Sequence, residues 1–142
     1  MTAAAGSPRP RGAFGGARVL CIDNDAAILD GMAALLQGWG CRVIGGRTVE
    51  EAVARLEGGR PDIAIVDYHL DGGATGLTAL EALCARFGDV AAIVLTADHG
   101  EAVQNLITTR GYPLLYKPVN PAALRALLSR LVQLAQQSAR TF

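Results

Sequence analysis

The stretch DIAIVDYHL, residues 62–70, runs through Ile63, Ala64, Ile65 and Val66 without a polar interruption and stops at Asp67. A strand with one face in water alternates apolar and polar residues, so a continuous apolar run marks a strand covered on both faces, as in a parallel sheet. This strand therefore belongs in the middle of its sheet, with Asp67 at its carboxyl end.

Working outward, short apolar runs alternate with amphipathic segments. Arg18 to Ile22 reads as a first strand, and Asp25 caps a helix to about Gln37, with Ile28, Leu29, Met32, Leu35 and Leu36 at helical spacing and Gly38 ending it. CRVIGG, residues 41–46, is a second strand. Thr48 followed by Glu51 predicts a capping box before Ala52, Val53 and Leu56, and Gly58 and Gly59 stop that helix. Past Asp67, Gly72, Gly73 and Gly76 predict a loop, Leu77 to Phe87 a helix, and Ala91 to Leu95 a strand ending in Thr96. Glu101 to about Thr109 predicts a helix, and Leu114 to Tyr116 a short strand running into Lys117 and Pro118. Pro121 opens a last helix whose Leu124, Leu127, Leu128, Leu131, Val132 and Leu134 form a broad apolar stripe. Five strands each followed by a helix, (βα)5, are too few for a closed eightfold barrel. The expected fold is α/β, a doubly wound, open, parallel five-stranded sheet of flavodoxin-like type.

The chain has 142 residues, of which 51% are hydrophobic, enough for one domain with a substantial core. Thirteen basic and thirteen acidic residues cancel, so no overall field draws the protein to nucleic acid or an anionic membrane. No apolar run reaches membrane-spanning length. Cys21, Cys41 and Cys84 are widely spaced in apolar surroundings, which suits buried thiols and a cytoplasmic location better than disulfides or a zinc site. The opening MTAAAGSPRPRGAFGG is rich in Arg, Pro, Gly and Ala, so residues 1–17 read as a flexible leader or linker and residues 18–142 as the domain.

Ligands of open α/β sheets bind at the carboxyl ends of the strands. Asp23 and Asn24, Asp67, Thr96 and Lys117 all fall at that edge. Two carboxylates about 4 Å apart repel by roughly 4 kcal/mol at an effective dielectric of 20, so their clustering without a cation would be costly and implies a divalent ion. Carboxylate, amide and carbonyl oxygens suit Mg²⁺, and a hydroxyl and an ammonium suit phosphoryl oxygens. The group reads as a phosphoryl-transfer site with an aspartate acceptor.

In this order VLCIDND, IAIVDYHL, IVLTAD and LLYKPV resemble the receiver domain of two-component response regulators, the CheY-like family, over about Arg18 to Leu134. The resemblance implies that Asp67 accepts a phosphoryl group from a phosphohistidine on a sensor histidine kinase or phosphotransfer domain. It implies that Asp23 and Asn24 hold Mg²⁺ with Asp67 and the backbone carbonyl of His69. Thr96 matches the switch hydroxyl, and Lys117 the lysine that pairs with the phosphoryl group, in a Lys-Pro that is commonly cis. His69 and Asp98, each two residues past a site residue, match positions that tune phosphoryl lifetime. The implied protein is a phosphorelay switch with a downstream protein partner, standing alone or as part of a hybrid kinase, catalysing only its own phosphorylation and dephosphorylation.

Three departures from the family pattern stand out. Asn24 replaces the usual second acid and predicts weaker Mg²⁺ binding; Leu114 replaces the aromatic switch residue; and HLDGGATG has Asp71 where a proline is common, so the path of this loop is expected to differ. The bland readings make Asp25 a helix cap, Asp62 strand-entry polarity, His99 an exposed loop residue and Trp39 packing at a helix end. Surplus leucine on the last helix, such as Leu131 or Leu134, is available to a partner or a homodimer face. Two other functions stay open: a receiver-like interaction module that is never phosphorylated, and a haloacid-dehalogenase-like phosphohydrolase, in which Asp23 would be nucleophile and Asp25 general acid.

Overall fold

The apolar run at residues 63–66 is buried on both sides because alternate residues face two separate cores. A computed structural model describes residues 14–140, with side chains described through 135. The elements are β1 (Arg18–Ile22), α1 (Ala26–Gly38), β2 (Arg42–Gly46), α2 (Val49–Leu56), β3 (Ile63–Asp67), a 3-10 turn (Asp71–Gly73), α3 (Gly76–Phe87), β4 (Ala91–Thr96), α4 (Glu101–Thr109), β5 (Leu114–Tyr116) and α5 (Pro121–Arg140). All strand pairs are parallel, in the order β2-β1-β3-β4-β5, so β3 is central as its continuity requires.

Parity along the strands sorts the side chains. Val19, Cys21, Ile63, Ile65, Ile93 and Leu95 pack with Met32 and Leu36 of α1 and Leu124, Leu128 and Val132 of α5. Leu20, Ile22, Ala64, Val66, Ala92 and Val94 pack with Ala52 and Leu56 of α2, Leu77, Leu80 and Leu83 of α3 and Ile107 of α4. The last helix divides its leucines accordingly: Leu124 and Leu128 are wholly buried, while Leu134 is 53% exposed.

Local chemistry fixes the helix ends. The Asp25 carboxylate accepts from Ala27 N at 2.9 Å, the predicted cap. Thr48 Oγ1 accepts from Glu51 N at 3.1 Å, but Glu51 Oε1 accepts from Arg47 N at 2.7 Å instead of closing the predicted box on Thr48. The reciprocal box forms at Thr75 and Thr78, so α3 starts at Gly76, one residue before the predicted Leu77. Asp62, at the entry to β3, accepts from Arg18 N at 2.8 Å, and the Arg18 guanidinium donates to the carbonyls of Leu56, the last residue of α2, and of Gly58 just beyond it.

The packed unit begins before the boundary drawn from composition. Phe14 is 2% exposed, its ring lies 6.1 Å from that of Trp39, and Gly16 N donates to Gly40 O at 2.9 Å. Residues 14–17 therefore pack against the end of α1 and the start of β2, while residues 1–13 lie outside the described residues. Trp39 packs at the end of α1 as expected, with Arg125 of α5 stacked over its ring.

Candidate functional site

Adjacent strands β1 and β3 feed helices on opposite faces of the sheet, so the switch point lies between them, and their carboxyl ends carry Asp23 and Asp67. Both are buried, at 3% and 6% exposure. Lys117 reaches in from the end of β5, its Nζ 2.9 Å from Asp23 Oδ2 and 3.3 Å from Asp67 Oδ2, and its peptide bond to Pro118 is cis. The other Asp23 oxygen, Oδ1, accepts from Asp25 N at 2.9 Å.

The cation implied by clustered carboxylates is thus supplied within the chain by Lys117, so their repulsion does not by itself demand a divalent ion. Burial, then the neighbouring Asp23 charge, push the Asp67 carboxyl above its ordinary 3.8, against the lowering pull of Lys117 and of the His69 backbone amide. Lys117 shows the reverse balance: burial alone would lower its pKa, but the hydrogen bonds and charges of Asp23 and Asp67 hold it above 10.5. Among the described residues no three His, Cys, Asp or Glu side chains gather as a metal cluster. A bound cation would therefore have two buried carboxylates supplemented by neutral oxygens, a hard-donor set that fits Mg²⁺ keeping part of its water shell.

Thr96 ends β4 with no exposure, and its Oγ1 accepts from Asp98 N at 3.0 Å. The Asp98 carboxylate turns toward α4, where Oδ1 accepts from Gly100 N at 2.7 Å. His69 is exposed beside Asp67, its ring edge-on to Tyr68 at 4.9 Å, and residue 69 pairs with Thr75 across the β3–α3 loop. Leu114 is half-buried against the α4 side of the sheet. His99 is exposed, as expected, but its ring stacks on Tyr116 at 4.3 Å.

Asn24 donates from Nδ2 to Asp71 Oδ1 at 2.9 Å, which brings a predicted site residue against the residue that marks the unusual loop. Arg47, which the sequence reading passed over, donates from Nε to the Asn24 carbonyl at 3.2 Å and lies 3.9 Å from Asp71 Oδ2. Its signal was positional: it follows β2 as Asp23 follows β1, at the same sheet edge. Gly76 is required by close approach, because a Cβ there would lie 2.7 Å from the Asp67 carbonyl oxygen.

An open parallel five-stranded sheet with a buried carboxylate pair and a bridging lysine at its switch point defines a doubly wound α/β protein of flavodoxin-like fold. The chain belongs to the response regulator receiver domain family, whose profile matches residues 19–129. It is 36% identical over 126 residues to the phyllosphere-induced regulator PhyR of Methylorubrum extorquens, covering 86% of this chain and 45% of that protein. It is 30% identical over 111 residues to the acid tolerance regulatory protein ActR of Rhizobium meliloti, covering 78% of this chain and 57% of that one. The chain thus spans about half the length of the curated relatives it matches. Among solved structures, a CheY-like receiver domain protein from Methanospirillum hungatei superposes with a TM-score of 0.75 at 24% identity, over 87% of this chain and 98% of that one. Chemotaxis response regulator CheY4 of Vibrio cholerae does so with a TM-score of 0.69 at 25% identity, over 82% and 98%. No described helix is long and apolar enough to cross a membrane.

Proposed function

We propose that Asp67 is the phospho-acceptor of a phosphorylation-driven switch, receiving its phosphoryl group from a phosphohistidine on a sensor histidine kinase or phosphotransfer domain. The observation that carries this reading is the buried Asp67 carboxylate with Lys117 Nζ 3.3 Å from Oδ2 and 2.9 Å from Asp23 Oδ2. In the transfer an Asp67 oxygen forms a bond to phosphorus, the phosphorus–nitrogen bond breaks, and its electron pair returns to the imidazole of the donor. Asp23, Asn24, Asp67 and the His69 carbonyl would hold Mg²⁺, which when bound supplies positive charge for the phosphoryl oxygens.

Lys117 favours the ionised form of Asp67, opposing the burial that raises its pKa, and it pairs with the phosphoryl oxygens once Asp67 is modified. The Thr96 hydroxyl accepts from Asp98 N through its oxygen, leaving its hydrogen to donate to the phosphoryl group. Its movement carries the loop into α4, so the α4–β5 surface changes its affinity for a downstream protein by a few kcal/mol. Leu114 removes aromatic rotamer switching at its own position. His69, exposed beside the acceptor, governs the approach of water, whereas the Asp98 carboxylate must leave Gly100 N to do so. Asp25 caps α1 through Oδ1, a structural role that accounts for its presence without the hydrolase reading. The reading places the protein in the cytoplasm with no nucleic-acid or membrane partner of its own, and gives the half-buried Leu131 and exposed Leu134 to a homodimer contact.

Intact-mass measurement after incubation with acetyl phosphate and Mg²⁺, on wild type, Asp67→Asn and Asp23→Asn, tests the proposal. An adduct lost in Asp67→Asn supports it. No adduct at excess Mg²⁺ would favour a module that works unphosphorylated, a reading that Asn24 and Leu114 suggest.

A further inference from the structure

We propose that Asp71 is a positioning residue for Asn24, orienting its amide so that the oxygen, and not the nitrogen, serves the Mg²⁺ site. The inference rests on the reading that Asn24 belongs to that site. A carboxylate at this position would present equivalent oxygens whichever way it turned. An amide has one accepting end and one donating end, and the wrong end would face a cation with N–H groups. Something must therefore choose the rotamer. An ionised Asp71 carboxylate only accepts hydrogen bonds, so its 2.9 Å contact with Asn24 Nδ2 fixes the nitrogen outward and leaves Oδ1 as the free end.

The brace is built from three neighbouring loops. Arg47, after β2, donates from Nε to the Asn24 carbonyl at 3.2 Å and reaches Asp71 Oδ2 at 3.9 Å, so it steadies both partners. Asp71 begins the 3-10 turn, where Ala74 N donates to its carbonyl at 3.3 Å and Gly72 and Gly73 take φ of 70° and 78°. This turn, with the acid in place of the usual proline, sets the carboxylate opposite residue 24. The two departures from the family pattern thus act as a pair. The negative charge absent at 24 stands next to it, on a side chain 66% exposed, where orientation counts for more than screened Coulomb attraction.

Calorimetric Mg²⁺ titration of the full chain, without any phospho-donor, tests this in wild type, Asp71→Ala, Asp71→Asn, Asn24→Asp and the double variant Asn24→Asp/Asp71→Ala. Outer carboxylates that orient metal ligands change affinity by about ten- to a hundredfold, and the exposed Asp71 belongs at the lower end, so Asp71→Ala is expected to weaken binding about tenfold. Asp71→Asn should keep most of the affinity, because its side-chain oxygen still accepts from Asn24. In the Asn24→Asp background, removal of Asp71 should change affinity by no more than about twofold, the margin for independent sites. An unchanged affinity in Asp71→Ala overturns the inference, as does an equal loss in both backgrounds, which would mean charge acting at a distance. Asp23→Asn is the control for the underlying reading: if wild type and Asp23→Asn take up Mg²⁺ alike, the metal site is misassigned and this inference falls with it, while labelling of Asp67 by acetyl phosphate still decides the acceptor reading separately.

Discussion

Replacing Lys117 with methionine keeps the length of the side chain and removes its charge, leaving Asp23 and Asp67 buried without their ammonium. At 2.9 Å and 3.3 Å and an effective dielectric of 20, the two lost attractions are about 6 and about 5 kcal/mol, offset in large part by the relief of desolvating the ammonium. Breaking a buried pair from one side costs about 3–5 kcal/mol, and the 18% exposure of the Lys117 side chain points to the lower end. A loss of about 3 kcal/mol lowers the midpoint of a domain this size by roughly 10 °C. Thermal and urea unfolding of metal-free protein at neutral pH should show it. The loss should shrink when Asp67→Asn is added, when Mg²⁺ is supplied, and as the pH falls and Asp67 takes up a proton. An equal loss with and without Asp67→Asn would refute the reasoning, since lost packing and not stranded charge would then be the cause.

Other expectations follow from the same geometry. Because the Asp67 carboxyl is held above 3.8 in the folded protein, the folded state binds more protons than the unfolded chain just above that pH. Its contribution to stability therefore falls as pH rises from 3.8 through the folded value and is flat beyond; urea unfolding from pH 4 to 8 should show this slope in wild type and not in Asp67→Asn, and identical slopes would contradict it. Gly76→Ala pushes a methyl group into the Asp67 carbonyl, so it should cost about 1–3 kcal/mol and slow labelling by acetyl phosphate. A variant as stable and as fast as wild type would mean that the backbone there yields freely. Burial pushes the Cys21 and Cys41 thiols up to about 12 and about 11, while Cys84 is half-buried. A thiol reagent at pH 8 should modify Cys84 in the native protein and the other two only after denaturation, an order that equal reaction of all three would disprove.

The sheet was legible because a parallel strand buried on both faces leaves an unbroken apolar run, and β3 and β4 both have one. The strand-end rule then located Asp23, Asp67, Thr96 and Lys117 without any distance. Other features had no local signal. Phe14 is one aromatic among Gly, Arg and Pro, and nothing in that composition indicates a partner at Trp39. Glu51 could be read as closing a box on Thr48, but whether it reaches that amide or the one before depends on the exit from β2. The bond from Asn24 to Asp71 joins residues 47 apart, and only the folded loops disclose it. In sequence the carboxylate pair implies a divalent ion, because a sequence shows the charges at each strand end but not how far Lys117 reaches.

The Phe14 anchorage sets where forces enter the domain. The chain comes in under Trp39, at the amino end of β1, and the five residues of that strand carry it about 17 Å to Asp23. A fluorophore, affinity handle or surface tether joined ahead of Phe14 would pull on the floor of the sheet and leave its reactive rim unobstructed. With that aromatic wedged in place, the point of attachment stays at the end of the sheet opposite Asp67.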